Sequence, residues 1–247
     1  MKLSFYYWGM QCPLHSEILR LLDAYENRLE ISRVDITGQP DVAWAQRMFF
    51  PMLTVVDNTR RYFSPLNRDF LESVCRGNLP EEEPYRPTLG GLPVNGQLEP
   101  LTEQNICLAA QCTGCQNLGR ERAGWLRNQG ITGAFGIVNR QGNRLLGGAE
   151  FVPSAIVPYD VPKRPDTAFL TCLYGSAPEA DHQSGPLCAL EQMLRQDYRR
   201  LIAVTDEDGV FPNGNLAVFL RNGYQDLGCI RQEPGYCRLH LVEKELR

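Results

Sequence analysis

The sequence is poor in lysine and histidine and has no long apolar run. Of its 25 basic residues only Lys2, Lys163 and Lys244 are lysines, so the other 22 are arginines. Three histidines are too few for a histidine-rich metal site, and no metal is expected. No segment approaches the roughly 18–20 apolar residues of a membrane span, which excludes a membrane-spanning protein.

The start of the chain also lacks the marks of secretion. The segment MKLSFYYWGMQC has neither the long apolar stretch nor the small-residue cleavage site of a signal peptide. The nine cysteines are an odd number spread over 247 residues, unlike the dense, paired pattern of a disulfide scaffold. We therefore expect a cytoplasmic protein with reduced thiols.

The composition provides enough apolar residues for a folded core. Hydrophobic residues make up 43% of the chain and charged residues 22%, which excludes a disordered protein. The formal net charge of −4 disfavours a protein that binds nucleic acid through a broad basic surface. The excess of arginine over lysine keeps one RNA-linked alternative open.

A segment rich in proline divides the chain. Residues 78–100 hold five prolines, three glycines and the run Glu81-Glu82-Glu83, without the periodicity of a strand or helix. We predict a domain at 1–77, a linker at 78–97 and a second domain at 98–247. The fold class is α/β (α+β) for the whole chain.

The first domain alternates strands and helices. Apolar and aromatic runs predict strands, and apolar residues at helical spacing predict helices. The predicted order is strand 2–8, helix 11–29, strand 29–36, helix 41–49, a third strand after Phe50-Pro51, a hairpin, and the helix NRDFLESVCRG.

This order, with its motifs, resembles the thioredoxin fold over residues 1–86. Cys12-Pro13-Leu14-His15 stands where such proteins carry Cys-x-x-Cys, and Pro51 matches the proline that faces that motif. Because His15 replaces the second cysteine, no dithiol cycling is expected. The resemblance implies that Cys12, at a helix start, is a thiolate that binds or senses a substrate. The alternative is a fold used only for docking.

The second domain has a longer order of elements. Two helices at 101–112 and 116–130 precede a hairpin, an apolar strand at 167–176, a glycine-containing loop and a helix at 188–198. A strand, a short helix ended by Gly223 and two more strands complete it.

The region 98–247 resembles the GNAT acyltransferase superfamily, a mixed-sheet fold. The loop before the 188–198 helix contains Gly185, as the pyrophosphate loop of the family does, and Asn215 to Tyr224 resembles its late helix. The resemblance implies acetyl-CoA or another acyl-CoA as donor and a small amine as acceptor. The implied donor-binding residues are Leu173, Tyr174, His182, Gln183, Ser184, Gly185, Leu187, Asn215 and Phe219.

Four residues depart from the family pattern. His182 and Leu187 replace the usual Arg or Gln and the second small residue of the loop, and Pro186 removes an amide donor. Phe219 stands where many members place a tyrosine acid, so the leaving thiolate would take its proton from water or another residue.

A finer resemblance is to a small GNAT subgroup fused to a thioredoxin-like module. It rests on Cys107, Cys115, Trp125-Leu126, Glu150-Phe151 and Cys172. The resemblance implies Glu150 as the base that takes the ammonium proton, with an edge salt bridge as the alternative. Cys172, on the central strand, is a candidate nucleophile or a core residue.

Two further features are candidates for contact with the acceptor. Cys107, Cys112 and Cys115 form C-x4-C-x2-C, which indicates either thiol packing of a helix pair or a thiol cluster beside the acceptor. The proline-rich loop 150–165, with Tyr159, is a candidate lid.

Three hypotheses of function follow. The leading one is an N-acyltransferase that moves an acyl group from a CoA thioester to a small amine by direct transfer. The second is a GNAT-fold transferase that uses another activated donor, such as an aminoacyl-tRNA. The third is a thiol-based binding or redox-sensing protein with an inactive GNAT site.

Overall fold

The computed structural model describes residues 1–86, 91–114, 119–175, 180–210 and 213–247. The chain divides into two compact units. The first comprises Met1–Glu83 together with Pro158–Asp160, and the second comprises Pro84–Val157 and Val161–Arg247. None of the helices in the described segments is long and apolar enough to cross a membrane.

The first unit is a four-stranded mixed sheet with three helices. β1 is parallel to β2 and antiparallel to β3, and the sheet order is β2-β1-β3-β4. The two central strands are apolar and buried, which is why they form the middle of the sheet. The elements are β1 (Lys2–Tyr7), α1 (Leu14–Asp23), β2 (Glu30–Asp35), α2 (Pro40–Ala45), β3 (Met52–Val56), β4 (Arg60–Tyr62) and α3 (Arg68–Cys75).

The second unit is a seven-stranded mixed sheet in the order β10-β11-β9-β8-β7-β6-β5. β8 and β9 run parallel, and the other neighbouring pairs are antiparallel. Its strands are β5 (Gln97–Leu101), β6 (Gly136–Gln141), β7 (Arg144–Pro153), β8 (Thr167–Gly175), β9 (Arg200–Asp206), β10 (Gln225–Glu233) and β11 (Cys237–Glu245). Its helices are α4 (Ile106–Ala110), α5 (Gly119–Asn128), α6 (Ser184–Leu194) and α7 (Leu216–Arg221).

The element order predicted for the second unit is confirmed from α4 onward. Two predicted helix ends are also correct: Gly130 and Gly223 follow α5 and α7 with φ of 74° and 83°, a conformation that favours glycine. On one face of the sheet, α6 buries Leu187, Leu190 and Leu194 in a core shared with β7 and β8.

Three local predictions were wrong. Residues 97–101 form β5 rather than an unstructured approach to a helix. The helix predicted at 101–112 is shorter than expected, because α4 begins at Ile106, after Asn105. Finally, α6 begins at Ser184 and not at Cys188.

Candidate functional site

The two central parallel strands of the second unit part after a short pairing. β8 and β9 are in register from Thr167 to Phe169 and from Arg200 to Ile202. Just beyond, the side-chain amide of Asn213 donates to the carbonyl of Leu170 at 3.3 Å and to that of Val204 at 3.0 Å. The Asn213 side chain thus donates the hydrogen bonds that a neighbouring strand would donate to these carbonyls in a continuous sheet.

A β-bulge accounts for this parting. Glu150 on β7 pairs with Cys172, while Phe151 pairs with Leu170, so Thr171 is an extra residue in β8. The Thr171 hydroxyl donates to the Glu150 carbonyl at 3.1 Å. Because a bulge bends its strand and increases the local twist, β8 turns away from β9 beyond Thr171.

Leu173 and Tyr174, both predicted to bind the donor, lie on β8 beyond the bulge. The Leu173 carbonyl accepts a bond of 3.4 Å from the side-chain amide of Gln183, so two of the predicted donor-binding residues lie together. The Leu173 side chain points into the core around α6. Adjacent strand residues face opposite sides, so Tyr174 lies on the other face, with Glu150.

Glu150 is held in an ion pair, the alternative predicted for it, but the pair is buried and lies on an inner strand, and its partner Arg122 was not predicted. Its carboxylate accepts hydrogen bonds from both terminal nitrogens of the Arg122 guanidinium, on α5. It also accepts one from the Tyr174 hydroxyl at 3.0 Å. The Glu150 and Arg122 side chains are 2% and 5% exposed. The guanidinium also lies 5.6 Å from the centroid of the Phe135 ring.

The geometry decides the protonation state of Tyr174. Burial raises the pKa of the phenol well above 10, neighbouring Cys112 and Cys172 raise it further, and Arg122 lowers it. The hydroxyl therefore stays protonated at neutral pH and donates to Glu150. Gly148 makes room for it, because a Cβ at that position would lie 2.5 Å from the Tyr174 hydroxyl oxygen.

The glycine-containing loop is arranged differently from the expectation of an open pyrophosphate site. The Asp181 carboxylate accepts from the backbone N–H of Gln183 and of Ser184, each at 2.9 Å, and from the Ser184 hydroxyl at 2.6 Å. Gly185 lies in the first turn of α6 and not in a free loop. His182 is buried and its Nδ1 lies 2.9 Å from the carbonyl oxygen of Val94.

Three of the predicted donor-binding residues have structural partners within the second unit. Leu187 and Phe219 are fully buried in the core, and the Phe219 ring packs edge-on against Tyr224 at 5.1 Å. Asn215 caps α7, because its side chain accepts from the backbone N–H of Ala217 at 2.7 Å.

The remaining predicted site residues are divided between the two units. Cys12 and Tyr159 are buried in the first unit, where the Tyr159 ring stands 5.4 Å from that of Trp8. Cys172 is half-buried and is the register partner of Glu150. Cys107 is exposed, and Cys115 lies outside the described residues. Within the described ranges, no group of three or more His, Cys, Asp or Glu residues could hold a metal.

Comparison with known proteins gave similarity to solved structures alone. No family model and no curated protein matches the chain. One similar structure is a ribosomal-protein-alanine N-acetyltransferase from Brucella melitensis, with 19% identity, a TM-score of 0.44, and coverage of 61% of this chain and 99% of that one. Another is an N-acetyltransferase from Staphylococcus aureus Mu50, with 17% identity, a TM-score of 0.45, and coverage of 62% and 100%.

An aminoglycoside 6'-N-acetyltransferase from Enterococcus faecium is similar at 10% identity. Its TM-score is 0.44, and the match covers 62% of this chain and 98% of that chain.

Proposed function

We propose that the second unit is a GNAT-type acyltransferase that moves an acyl group from a CoA thioester to a small amine. The observation that carries the proposal is the parting of β8 and β9 directly beside the buried Glu150 cluster. The parting offers backbone amides to an extended donor arm, and the cluster offers a proton acceptor within hydrogen-bond reach of the same strand.

The residues fit one part of CoA and not the other. The pantetheine arm carries amides that match the backbone of Leu173 and Tyr174 beyond the bulge, where the Leu173 carbonyl accepts from the Gln183 side-chain amide. The diphosphate does not fit the start of α6 as arranged, because the Asp181 carboxylate already accepts from its amides.

A bound thioester supplies the activated acyl group, which passes to the amine nitrogen as the carbon–sulfur bond breaks and the thiolate leaves. Tyr174 and Glu150 together remove the proton of the amine. The Tyr174 oxygen accepts it while the phenolic proton moves along the 3.0 Å hydrogen bond to Glu150. Glu150 thus remains the final base, as the resemblance implied, with Tyr174 between it and the acceptor.

In this proposal Arg122 is a positioning residue. Its guanidinium holds the Glu150 carboxylate in the orientation that faces Tyr174. Cys172 has no covalent role in direct transfer, and its half-buried side chain lies on the same face of β8 as Tyr174. A Cys172→Ala variant that retains turnover supports direct transfer over an acyl-thiol intermediate.

We further propose that the first unit is a thioredoxin-like domain. The sheet order β2-β1-β3-β4, with β1 parallel to β2, supports this, as does Cys12 just before α1. Cys12 is 2% exposed and His15 fully buried, with its Nδ1 2.5 Å from the Gly9 carbonyl. Such burial favours a binding or docking role over disulfide exchange with another protein.

The test is turnover by the full chain with acetyl-CoA and a panel of small amines, measured as CoA release by chromatography. We expect release with at least one amine. Tyr174→Phe should lower kcat by about 100-fold or more, because general acid–base groups contribute on that order, with little change in donor KM. Tyr85→Phe removes a hydroxyl from a tyrosine 69% exposed and serves as the matched control.

Two results contradict these claims separately. Absence of CoA release with every amine would overturn the transferase. A Tyr174→Phe enzyme as fast as the Tyr85→Phe control would leave the transferase in place and exclude the proton path through Tyr174.

A further inference from the structure

We propose that Asp181 determines donor specificity: its carboxylate takes the place of the donor's diphosphate, so that this chain recognises acyl thioesters through the pantetheine arm alone. The inference rests on the proposed acyltransferase function and deepens it. It concerns the start of α6, on the side of the loop that follows β8.

Asp181 is a buried carboxylate that is held at the start of α6 by several donors. Its side chain is 2% exposed, and Oδ2 is joined to the Arg221 guanidinium at 2.9 Å as well as to Ser184. Burial raises the pKa of Asp181, but the Ser184 and Gln183 donors and Arg221 more than offset it, so that the pKa lies below its usual value. A full negative charge therefore sits at the helix start at neutral pH.

Two further positions of the loop also lack a free N–H. The Leu187 N–H donates to the Gln183 carbonyl at 3.0 Å, and Pro186 has no N–H. At Gly185, the side-chain amide of Asn95 occupies the space where a Cβ would lie. A phosphate at this point would meet a carboxylate and a neutral amide instead of a row of free N–H groups.

A short segment before β5 covers the same loop. The Val94 N–H donates to the Asp181 carbonyl at 2.9 Å, and the Asp181 N–H donates to the Leu92 carbonyl at 3.2 Å. Asn139, on β6, fixes this segment through bonds of 3.1 Å to the Val94 carbonyl and 2.7 Å from the Gly96 N–H. The segment GLPVNG carries no positive charge for a phosphate.

The cation beside Asp181 is already held by that carboxylate. Arg221 is about half exposed and is bound to Asp181, so a diphosphate would compete with a buried carboxylate for it. The Asp181 carboxylate would repel the diphosphate of CoA. This repulsion would weaken binding of the nucleotide end of the donor and would not affect its uncharged pantetheine arm. Arm recognition and diphosphate recognition are therefore separable in this chain.

The experiment is calorimetric titration of the full chain with three probes: acetyl-CoA, S-acetylpantetheine and adenosine 3',5'-bisphosphate. We expect the two thioesters to bind with Kd values within about threefold of each other, and the bisphosphate to show no binding. Asp181→Asn keeps an acceptor for the helix amides but removes the charge. It should tighten acetyl-CoA binding by about tenfold and leave S-acetylpantetheine unchanged.

The control is Asp197→Asn, which removes an exposed carboxylate beyond the other end of α6. Acetyl-CoA binding about 30-fold tighter than S-acetylpantetheine, or binding of the bisphosphate alone, would overturn the role of Asp181 and leave the acyltransferase standing. Binding of neither thioester would overturn the proposed function itself, and the inference with it.

Discussion

At the scale of single residues, Glu150 and Arg122 show what a sequence pattern can and cannot indicate. Glu150 is an acidic residue within the apolar strand GGAEFV, a pattern that indicates a functional or paired carboxylate. Arg122 carries a comparable signal, because it precedes Trp125 and Leu126 by three and four residues on the buried stripe of α5. A charge on a buried stripe requires a partner, but its identity depends on which strand packs there.

The buried pair should matter for stability as well as for chemistry. Arg122→Met leaves the Glu150 carboxylate buried with Tyr174 as its remaining partner and should lower the free energy of unfolding by about 3–5 kcal/mol. The double variant Arg122→Met, Glu150→Met should be less destabilised than Arg122→Met alone. Both are measured by urea denaturation.

Another arginine of α5 provides the matched control. Arg127 pairs with Glu103 at 2.6 Å, but both side chains are exposed, so Arg127→Met should cost less than about 1 kcal/mol. Equal losses for Arg122→Met and Arg127→Met would contradict a buried, uncompensated charge at Glu150.

At the scale of elements, the errors have identifiable physical causes. β5 has the sequence QLEPL, whose proline suggests a loop, yet an edge strand pairs on one side and tolerates it. The start of α6 was missed because Gly185 and Pro186 resemble a loop, although an amide in the first helical turn needs no intrahelical partner. The bulge at Thr171 depends on pairing between strands and has no local signal.

Asn213 offers a test of the parting between β8 and β9. Asn213→Ala removes the donor to the Leu170 and Val204 carbonyls, which are then left buried without it. We expect a loss of about 1–3 kcal/mol in unfolding free energy and faster amide exchange in β8 and β9.

Asn143→Ala, in the exposed turn between β6 and β7, should change neither quantity. If Asn213→Ala behaves like Asn143→Ala, the bridging bonds do not stabilise the edges of the opening.

At the scale of the whole molecule, composition indicated a division of the chain but not its full form. The proline-rich segment marks the region of the boundary between Glu83 and Pro84. It could not indicate that Pro158–Asp160, from the middle of the second unit's sequence, belongs to the first unit. That assignment depends on packing between residues far apart in the chain, which neither periodicity nor composition encodes.

Glu72, in the first unit, belongs to a solvent-exposed ion pair whose small contribution to stability should depend on pH. Its carboxylate accepts from both terminal nitrogens of Arg28, at 2.6 and 3.0 Å, and from the Tyr25 hydroxyl at 3.0 Å. These bonds, that of Arg28 first, lower the pKa of Glu72 from 4.5 to about 2. Because the folded pKa is the lower one, the stabilisation is fully present above pH 4.5 and is lost as the pH falls to 2.

We therefore expect Glu72→Gln to lower Tm at pH 7 and to have a progressively smaller effect as the pH falls from 4.5 to 2, measured by calorimetry of the full chain. Glu17→Gln changes an exposed carboxyl in the first turn of α1 and controls for the loss of one charge from the unit. A Tm difference between Glu72→Gln and wild type that stays constant down to pH 2 would contradict the prediction, since a protonated Glu72 accepts no more strongly than the amide that replaces it.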